Sequence, residues 1–220
     1  MEITGKTIWK TAEIAVNKTH REGGAFAPPE LMDYSTQSDE QLIILVAGND
    51  QKAFKELFKR YSKRVFNLSY SHVYDYHAAE DISQEVFLIL YKKAESFKKK
   101  SSLSTWIYRI TANSAVSYIR KHKKDELLTN IEFAADVAED SPVKEEKERD
   151  EKAKKILNLL PENQKTAFIL SQKENLKYRE IASIMKVSEK AVESLIYRAR
   201  ENIRQSLKEL NASESLKENL

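Results

Sequence analysis

The sequence predicts an all-α protein: two small helical domains joined by a flexible acidic linker, the C-terminal domain being a helix-turn-helix. Three observations support this fold class. Gly and Pro number only four each in 220 residues, so helix breakers are scarce. Apolar side chains recur at steps of three and four residues over long stretches, the period of an amphipathic helix. Apolar and polar residues nowhere alternate long enough to predict a strand.

The first domain is predicted over residues 38–121 as four helices. Ser38 and Gln41 form a capping box, which predicts where the first helix begins. Asp50 opens the second helix, and a third is predicted near Ala78–Glu95. The predicted inward residues of these two helices are Phe54, Leu57, Phe58, Tyr61, Val65, Leu68, Ile82, Val86, Phe87 and Leu90.

The fourth helix is predicted from about Thr105 to Lys121, with Trp106 in register with Ile110 on its inward face. The loop before it, Ser96–Ser104, is rich in lysine and serine. This helix completes a domain of ordinary size.

The second domain is predicted over residues 152–207. Pro161 suits the first turn of a helix, and Tyr178–Met185 begins a helix-turn-helix. Lys186 takes the turn position where glycine is usual, at a cost of about 1 kcal/mol for a left-handed backbone. Val187 is predicted to fill the corner, and Ser188 to cap the second helix.

Three segments lie outside these domains. Residues 1–37 are predicted to be a poorly ordered arm with a short helix near Lys10–Lys18, and Met32 is an alternative start. Residues 122–151 are acidic and lack periodicity, which predicts a linker. Residues 208–220 are a polar tail.

Charge is unevenly distributed along the chain. Residues 38–124 hold 16 Lys/Arg against 9 Asp/Glu, residues 125–151 hold 3 against 11, and residues 152–204 hold 12 against 6. Two basic blocks therefore flank an acidic one, which favours contact with a phosphate backbone at both domains. Solvated helix surfaces would explain the individual charges but not this segregation.

Composition excludes some classes of function. Without cysteine, neither disulfides nor thiolate metal sites can form. No apolar run is long enough to span a bilayer, and the N-terminus lacks the apolar core of a secretory signal. We therefore expect a cytoplasmic protein without stable membrane insertion.

The second helix of the helix-turn-helix presents two faces. Val192, Leu195, Ile196, Ala199 and Ile203 form the inward stripe, and the opposite face is basic and polar. Such a helix fits the major groove, although a plain helical hairpin is the alternative. The predicted contacts to duplex DNA are Tyr178, Ser188, Lys190, Glu193, Ser194, Tyr197, Arg198 and Arg200.

The first domain carries two further surface patterns. Asp81, Gln84 and Glu85 form a polar ridge on the third helix, which by itself would only be solvated. After it, aromatic residues alternate with Arg109, Asn113 and other polar or basic residues, a combination suited to single-stranded DNA.

These segments resemble a known family. AEDISQEVFLILYKKAESF and SSLSTWIYRITANSAVSYIRK are similar to region 2 of bacterial extracytoplasmic function (ECF) sigma factors, and LLPENQKTAFILSQKENLKYREIASIMKVSEKAVESLIYRAR is similar to region 4. The resemblance covers about residues 38–207 in family order.

The resemblance implies a promoter-directing role without an active site or cofactor. The polar ridge Asp81, Gln84 and Glu85 would dock on RNA polymerase core, and the recognition helix would read the −35 element as duplex. The acidic linker would thread the nucleic-acid cleft of the polymerase. The implied contacts to the melted, single-stranded −10 element are Lys98, Lys99, Lys100, Ser101, Arg109, Asn113 and Arg120.

Two departures from the family pattern limit what can be carried over. Lys98–Lys100 stand where members often have an acidic residue or glycine, so the −10 preference does not transfer. Leu195 follows Ser194 where many members have arginine. Whether an anti-sigma factor holds the protein inactive is left open.

Two alternatives remain. A free-standing helix-turn-helix regulator would bind duplex DNA as a dimer and use the first domain as a sensor. A metal-binding helical-bundle enzyme would use His77, Glu80, Asp81 and Glu85, but the carboxylate–x–x–His repeat of a di-metal bundle is missing from a second helix.

Overall fold

The computed structural model describes residues 33–99, 101–128, 152–172 and 176–218, with the helical backbone alone for 123–128 and 211–218. All the regular elements among the described residues are helices, and none is a strand, which confirms the predicted all-α class. The predicted helix near Lys10–Lys18, Lys100 and most of the predicted linker lie outside the described residues.

Four helices make up the N-terminal part of the described chain. They are α1 (Asp39–Ala47), α2 (Gln51–Val73), α3 (Tyr76–Lys92) and α4 (Leu103–Leu128). Short 3-10 turns cover Tyr34–Thr36 and Ala94–Ser96. The predicted third helix thus begins two residues earlier and ends three residues earlier than expected.

Side-chain caps fix the beginnings of these helices. The Ser38 hydroxyl accepts from the Gln41 backbone N–H at 3.2 Å, and the Gln41 side chain accepts from the Ser38 N–H at 2.8 Å, so the predicted capping box is confirmed. Asp50 accepts from the N–H groups of the first turn of α2, and Asp75 caps α3 through the N–H of Ala78.

The core of the first four helices is the one that the apolar spacing predicts. Phe54, Leu57 and Val65 of α2 are at most 2% exposed. All the other residues of the predicted inward stripes on α2 and α3 are buried as well. The Phe87 ring packs edge-on against Phe54 at a centroid distance of 6.3 Å. It also packs against Phe58 at 4.7 Å.

Helix α4 corrects two expectations. It continues to Leu128, seven residues into the predicted linker. Its most buried residues include Leu103, Ile107 and Thr111, whereas Trp106 and Ile110 are only half-buried. The inward face therefore lies one residue further along than predicted, and the Trp106 ring instead packs on Phe97 at 5.4 Å.

The segment before α1 is bonded to α2 rather than forming part of a loose arm. The Arg60 guanidinium donates to the backbone carbonyls of Tyr34, Ser35 and Gln37 at 2.8–3.2 Å and to the Asp39 carboxylate at 2.8 Å. Partial burial and a hydrogen bond to the Asp50 carboxylate raise the pKa of Tyr34 to about 12. Residues 33–37 thus belong to the folded structure.

The C-terminal part of the described chain contains four more helices. The first is α5, described over residues 152–158, and it is followed by α6 (Glu162–Gln172), α7 (Tyr178–Met185) and α8 (Glu189–Glu218). Helix α8 extends through nearly all of the predicted polar tail. Leu157, Leu160 and Ala199 form a buried cluster, against which Phe168 and Ile203 pack.

The chain divides into two compact units. The first comprises the described residues up to Tyr70 together with Asp75–Ala115, and the second comprises Ser71–Tyr74 and the described residues from Val116 onward. The division falls inside α4, six residues before the predicted end of the first domain. No helix among the described residues is long and apolar enough to cross a membrane.

Candidate functional site

The break between α7 and α8 gives the second unit its helix-turn-helix. Lys186 ends α7 with φ 58° and ψ 43°, the left-handed conformation predicted for the turn position. The Ser188 hydroxyl then accepts from the Ala191 N–H at 3.2 Å and caps α8, as predicted. Val187 does not fill the corner, because its side chain is 39% exposed; Ile184 is buried instead.

Replacing Lys186 with glycine is expected to raise the free energy of unfolding by about 0.5–1 kcal/mol, because glycine adopts a positive φ without a Cβ clash. Urea denaturation followed by circular dichroism measures the change. The control Arg200→Gly, in the interior of α8, should instead lower the free energy of unfolding by about 1 kcal/mol. A destabilised Lys186→Gly variant would contradict the strain at this turn.

Helix α8 separates an inward from an outward face. Val192, Ile196 and Ala199 are at most 1% exposed, and Leu195 and Ile203 are partly buried. The predicted duplex contacts lie outside this stripe. Exposed on α8 or at its N-cap are Ser188, Lys190, Glu193, Ser194, Tyr197, Arg198 and Arg200, and Tyr178 is exposed at the start of α7.

The hydroxyl oxygen of Ser188 is used within the fold, so only its proton remains to donate to a phosphate. Lys177 and Arg179, on either side of the first residue of α7, are exposed cations outside the predicted set of contacts. Their position flanking the predicted contact Tyr178 is the signal that could have identified them. Cations at this place can neutralise backbone phosphates without reading bases.

The polar ridge of the first unit lies on α3. Asp81 and Glu85 are exposed and Gln84 is half-buried, on the side of the helix away from the buried Ile82 and Val86. The predicted ridge is therefore one surface strip. Beside it, the Glu80 carboxylate lies 4.0 Å from His77 Nδ1.

The residues of the metal-site alternative do not gather into a ligand set. Among residues that the structure describes, no group of three or more His, Asp or Glu side chains is placed to hold a metal ion. His77 is largely exposed, with 90% of its side chain accessible.

The predicted single-strand contacts extend from the segment after α3 along α4. Lys98 and Lys99 are exposed, Lys99 with φ 52°, and Ser101 is partly buried. Arg109 is half-buried and Asn113 is exposed. Tyr108 is only 3% exposed, so its ring belongs to the core and is not accessible for base stacking.

Arg120, near the other end of α4, already has an anionic partner. Its Nε donates to both carboxylate oxygens of Glu162 at 3.1–3.2 Å, within the second unit. This hydrogen bond and the charge of Glu162 raise the pKa of Arg120 above its ordinary value. Both side chains are substantially exposed, so solvent screens the pair. A phosphate would have to compete with Glu162 for this guanidinium.

Family models match both units. Residues 57–125 match Sigma-70 region 2, and residues 150–203 match Sigma-70 region 4. The first match spans most of α2 through α4, and the second spans the helix-turn-helix.

Among curated relatives, the ECF RNA polymerase sigma-E factor of Haemophilus influenzae is 33% identical over 184 residues, which cover 79% of this chain and 97% of that protein. The RNA polymerase sigma-H factor of Pseudomonas aeruginosa is 30% identical over 185 residues, covering 79% and 96%. SigW of Bacillus subtilis, also an ECF RNA polymerase sigma factor, is 29% identical over 176 residues, covering 75% and 94%.

Solved structures share the fold. CnrH, in complex with the cytosolic domain of CnrY, aligns with a TM-score of 0.61 and 21% identity over 78% of this chain and 98% of that one. RpoE of Bartonella quintana, in complex with the anti-sigma factor NepR, aligns with a TM-score of 0.55 and 24% identity over 71% and 98%. The matched regions and the extent of identity to its relatives establish that the chain belongs to the ECF RNA polymerase sigma factors.

Proposed function

We propose that this sigma factor uses three separate surfaces to bind RNA polymerase core, the −10 element and the −35 element. It binds RNA polymerase core and directs it to promoters by recognising the −10 and −35 elements. The proposal assigns core binding to the ridge on α3, the −10 strand to the segment after α3 and to α4, and the −35 duplex to the outward face of α8. The chain acts as a transcription initiation factor, and we propose that it has no catalytic activity of its own.

The observation that carries this assignment is the outward face of α8. Lys190 and Ser194 extend from the same helix whose opposite side is anchored by Val192 and Ile196. A helix held in this way presents its N-terminal turns to the major groove, where side chains reach base edges, while arginines further along contact phosphates.

The −10 assignment is supported by exposure and by charge. Lys98, Lys99 and Asn113 are accessible, and cations along a single strand supply most of the affinity for its backbone. For Arg120 the proposal requires that the guanidinium exchange Glu162 for a phosphate. Of the aromatic side chains here, Trp106 and Phe97 are half-buried and retain accessible surface.

We further propose that the protein works in the cytoplasm, where promoter DNA and polymerase are. Regulation by an anti-sigma factor is part of the proposal, since RpoE of Bartonella quintana was solved with such a partner. Co-purification of the tagged chain from its own cells would detect both the polymerase and a regulator of this kind.

Reconstitution tests the function directly. Overexpression followed by mapping of transcript starts identifies candidate promoters, and these are then transcribed in vitro by core polymerase with and without the purified chain. We expect promoter-specific transcripts only when the chain is present. Tight binding to the promoter duplex without core, together with a failure to associate with core, would instead identify a free-standing regulator.

A further inference from the structure

Glu193 is an unexpected residue on a surface that approaches DNA. It lies on the outward face of α8 with Lys190 one turn before it and Tyr197 one turn after it, and all three are exposed. A carboxylate held near phosphates is repelled by them. Its position therefore requires a compensating interaction or a structural reason.

The fold supplies no structural reason. Glu189 and Glu193 are both acidic, but only Glu189 is in the first turn of α8, where the helix dipole favours negative charge. Among the described side chains, none forms a hydrogen bond or ion pair with Glu193 in this structure. The inward stripe is completed by other residues, so Glu193 does not contribute to the core.

Base chemistry offers the compensating interaction. In the major groove a carboxylate accepts a hydrogen bond from the exocyclic N4 amino group of cytosine. Guanine presents two acceptors there, which repel a carboxylate, and thymine presents an acceptor and a methyl group. Adenine offers a donor, but its N7 acceptor lies beside it.

We propose that Glu193 is a specificity-determining residue that selects cytosine at one position of the −35 element. The inference rests on the proposed reading of the −35 duplex by α8. In this role Glu193 distinguishes cytosine from the other bases, and its repulsion of the phosphates lowers the affinity for DNA of any sequence. Arg198 and Arg200, on the same surface, supply attraction to the phosphates that offsets the repulsion.

The test compares the wild-type chain, Glu193→Ala, Glu193→Gln and the control Glu209→Gln, which removes an exposed carboxylate about four turns further along α8. Each is assembled with core polymerase and bound to promoter duplexes in which every −35 position is varied in turn. We expect the wild type to prefer cytosine at one position by roughly 5- to 150-fold. Glu193→Ala should lose that preference alone, while binding unrelated duplex DNA more tightly. Glu193→Gln should shift it toward adenine, because an amide pairs with N6 and N7.

The outcomes separate the two levels of the proposal. If the wild type shows no sequence preference anywhere in the −35 element, the proposed reading by α8 is wrong. If the wild type is selective and Glu193→Ala keeps the whole preference profile, only the role of Glu193 is overturned. If Glu193→Ala binds every −35 duplex more weakly by the same factor, that result contradicts the role of Glu193 as well. Glu209→Gln should retain the cytosine preference, since its side chain lies far along α8 from the N-terminal turns that face the bases.

Discussion

Replacing Phe87 with alanine is expected to lower the free energy of unfolding by about 3–5 kcal/mol. The Phe87 side chain is fully buried and contacts the rings of both Phe54 and Phe58, so its removal leaves a cavity between α2 and α3. A loss of this size is a large fraction of the 5–15 kcal/mol that typically holds a domain folded. Chemical denaturation of the full chain measures it.

A matched change in the second unit makes this experiment more informative. Leu170 is also fully buried, and Leu170→Ala should cost about 2–5 kcal/mol. Hydrogen exchange along the chain should then show faster exchange in α2 and α3 for Phe87→Ala, and in α6 to α8 for Leu170→Ala. If either variant loosened both units equally, the two compact units would not be separate folding units.

Phe97→Ala serves as the control for ring size. The Phe97 side chain is only half-buried and packs on Trp106, so solvent can fill part of the space that it leaves. Its cost should be clearly smaller than that of Phe87→Ala. Comparable losses at the two positions would mean that the Phe87 site collapses on substitution and leaves little cavity.

The core was predictable because its helices alternate cleanly between apolar and polar faces. In α2 the steps of three and four between Phe54, Leu57 and Tyr61 leave one helical register, and all three residues are buried. Trp106 shows where this method fails. Ile107 and Tyr108 follow it directly, so two neighbouring registers are apolar, and packing buries the later one.

Helix ends were less predictable than helix faces. Residues 122–128 and the chain beyond Leu207 are mainly polar, so hydrophobic periodicity gives no signal there. Lysine, glutamate and leucine nevertheless have high helix propensity, and α4 continues to Leu128 and α8 to Glu218. Periodicity detects only helices that bury one face.

In the candidate sites, too, the exposed helix positions were predictable and the long-range contacts were not. The outward positions of α8 follow from the 100° step per residue once its inward stripe is known, and the exposure of Lys190, Glu193 and Tyr197 agrees with it. The pairing of Arg120 with Glu162 could not be foreseen, because the partner lies 42 residues away in the sequence. Long-range polar contacts depend on tertiary packing, which local spacing does not encode.

The ridge on α3 gives the second large expected effect. Asp81→Ala combined with Glu85→Ala should weaken binding to RNA polymerase core by roughly 30-fold, about 2 kcal/mol. The reason is that removing two carboxylates from a protein interface leaves the groups on core that pair with them without a partner. Both side chains are exposed and lie away from the buried Ile82 and Val86, so α3 should keep its packing. Affinity measured by fluorescence anisotropy of labelled chain titrated with core, and helicity measured by circular dichroism, separate these two effects.

A second double variant controls for net charge. Glu95→Ala with Glu209→Ala also removes two exposed carboxylates, one from the turn after α3 and one from α8, but neither lies on the ridge. This variant should bind core within about twofold of the wild type, since exposed charges away from the interface contribute little.

The salt dependence of binding gives a further test. Raising the salt concentration should reduce the difference in core affinity between the ridge variant and the wild type, because the lost attraction is electrostatic. Equal core affinity for the ridge variant and the wild type at low salt would remove α3 as the docking surface. Core binding would then have to be sought on another face of the first unit.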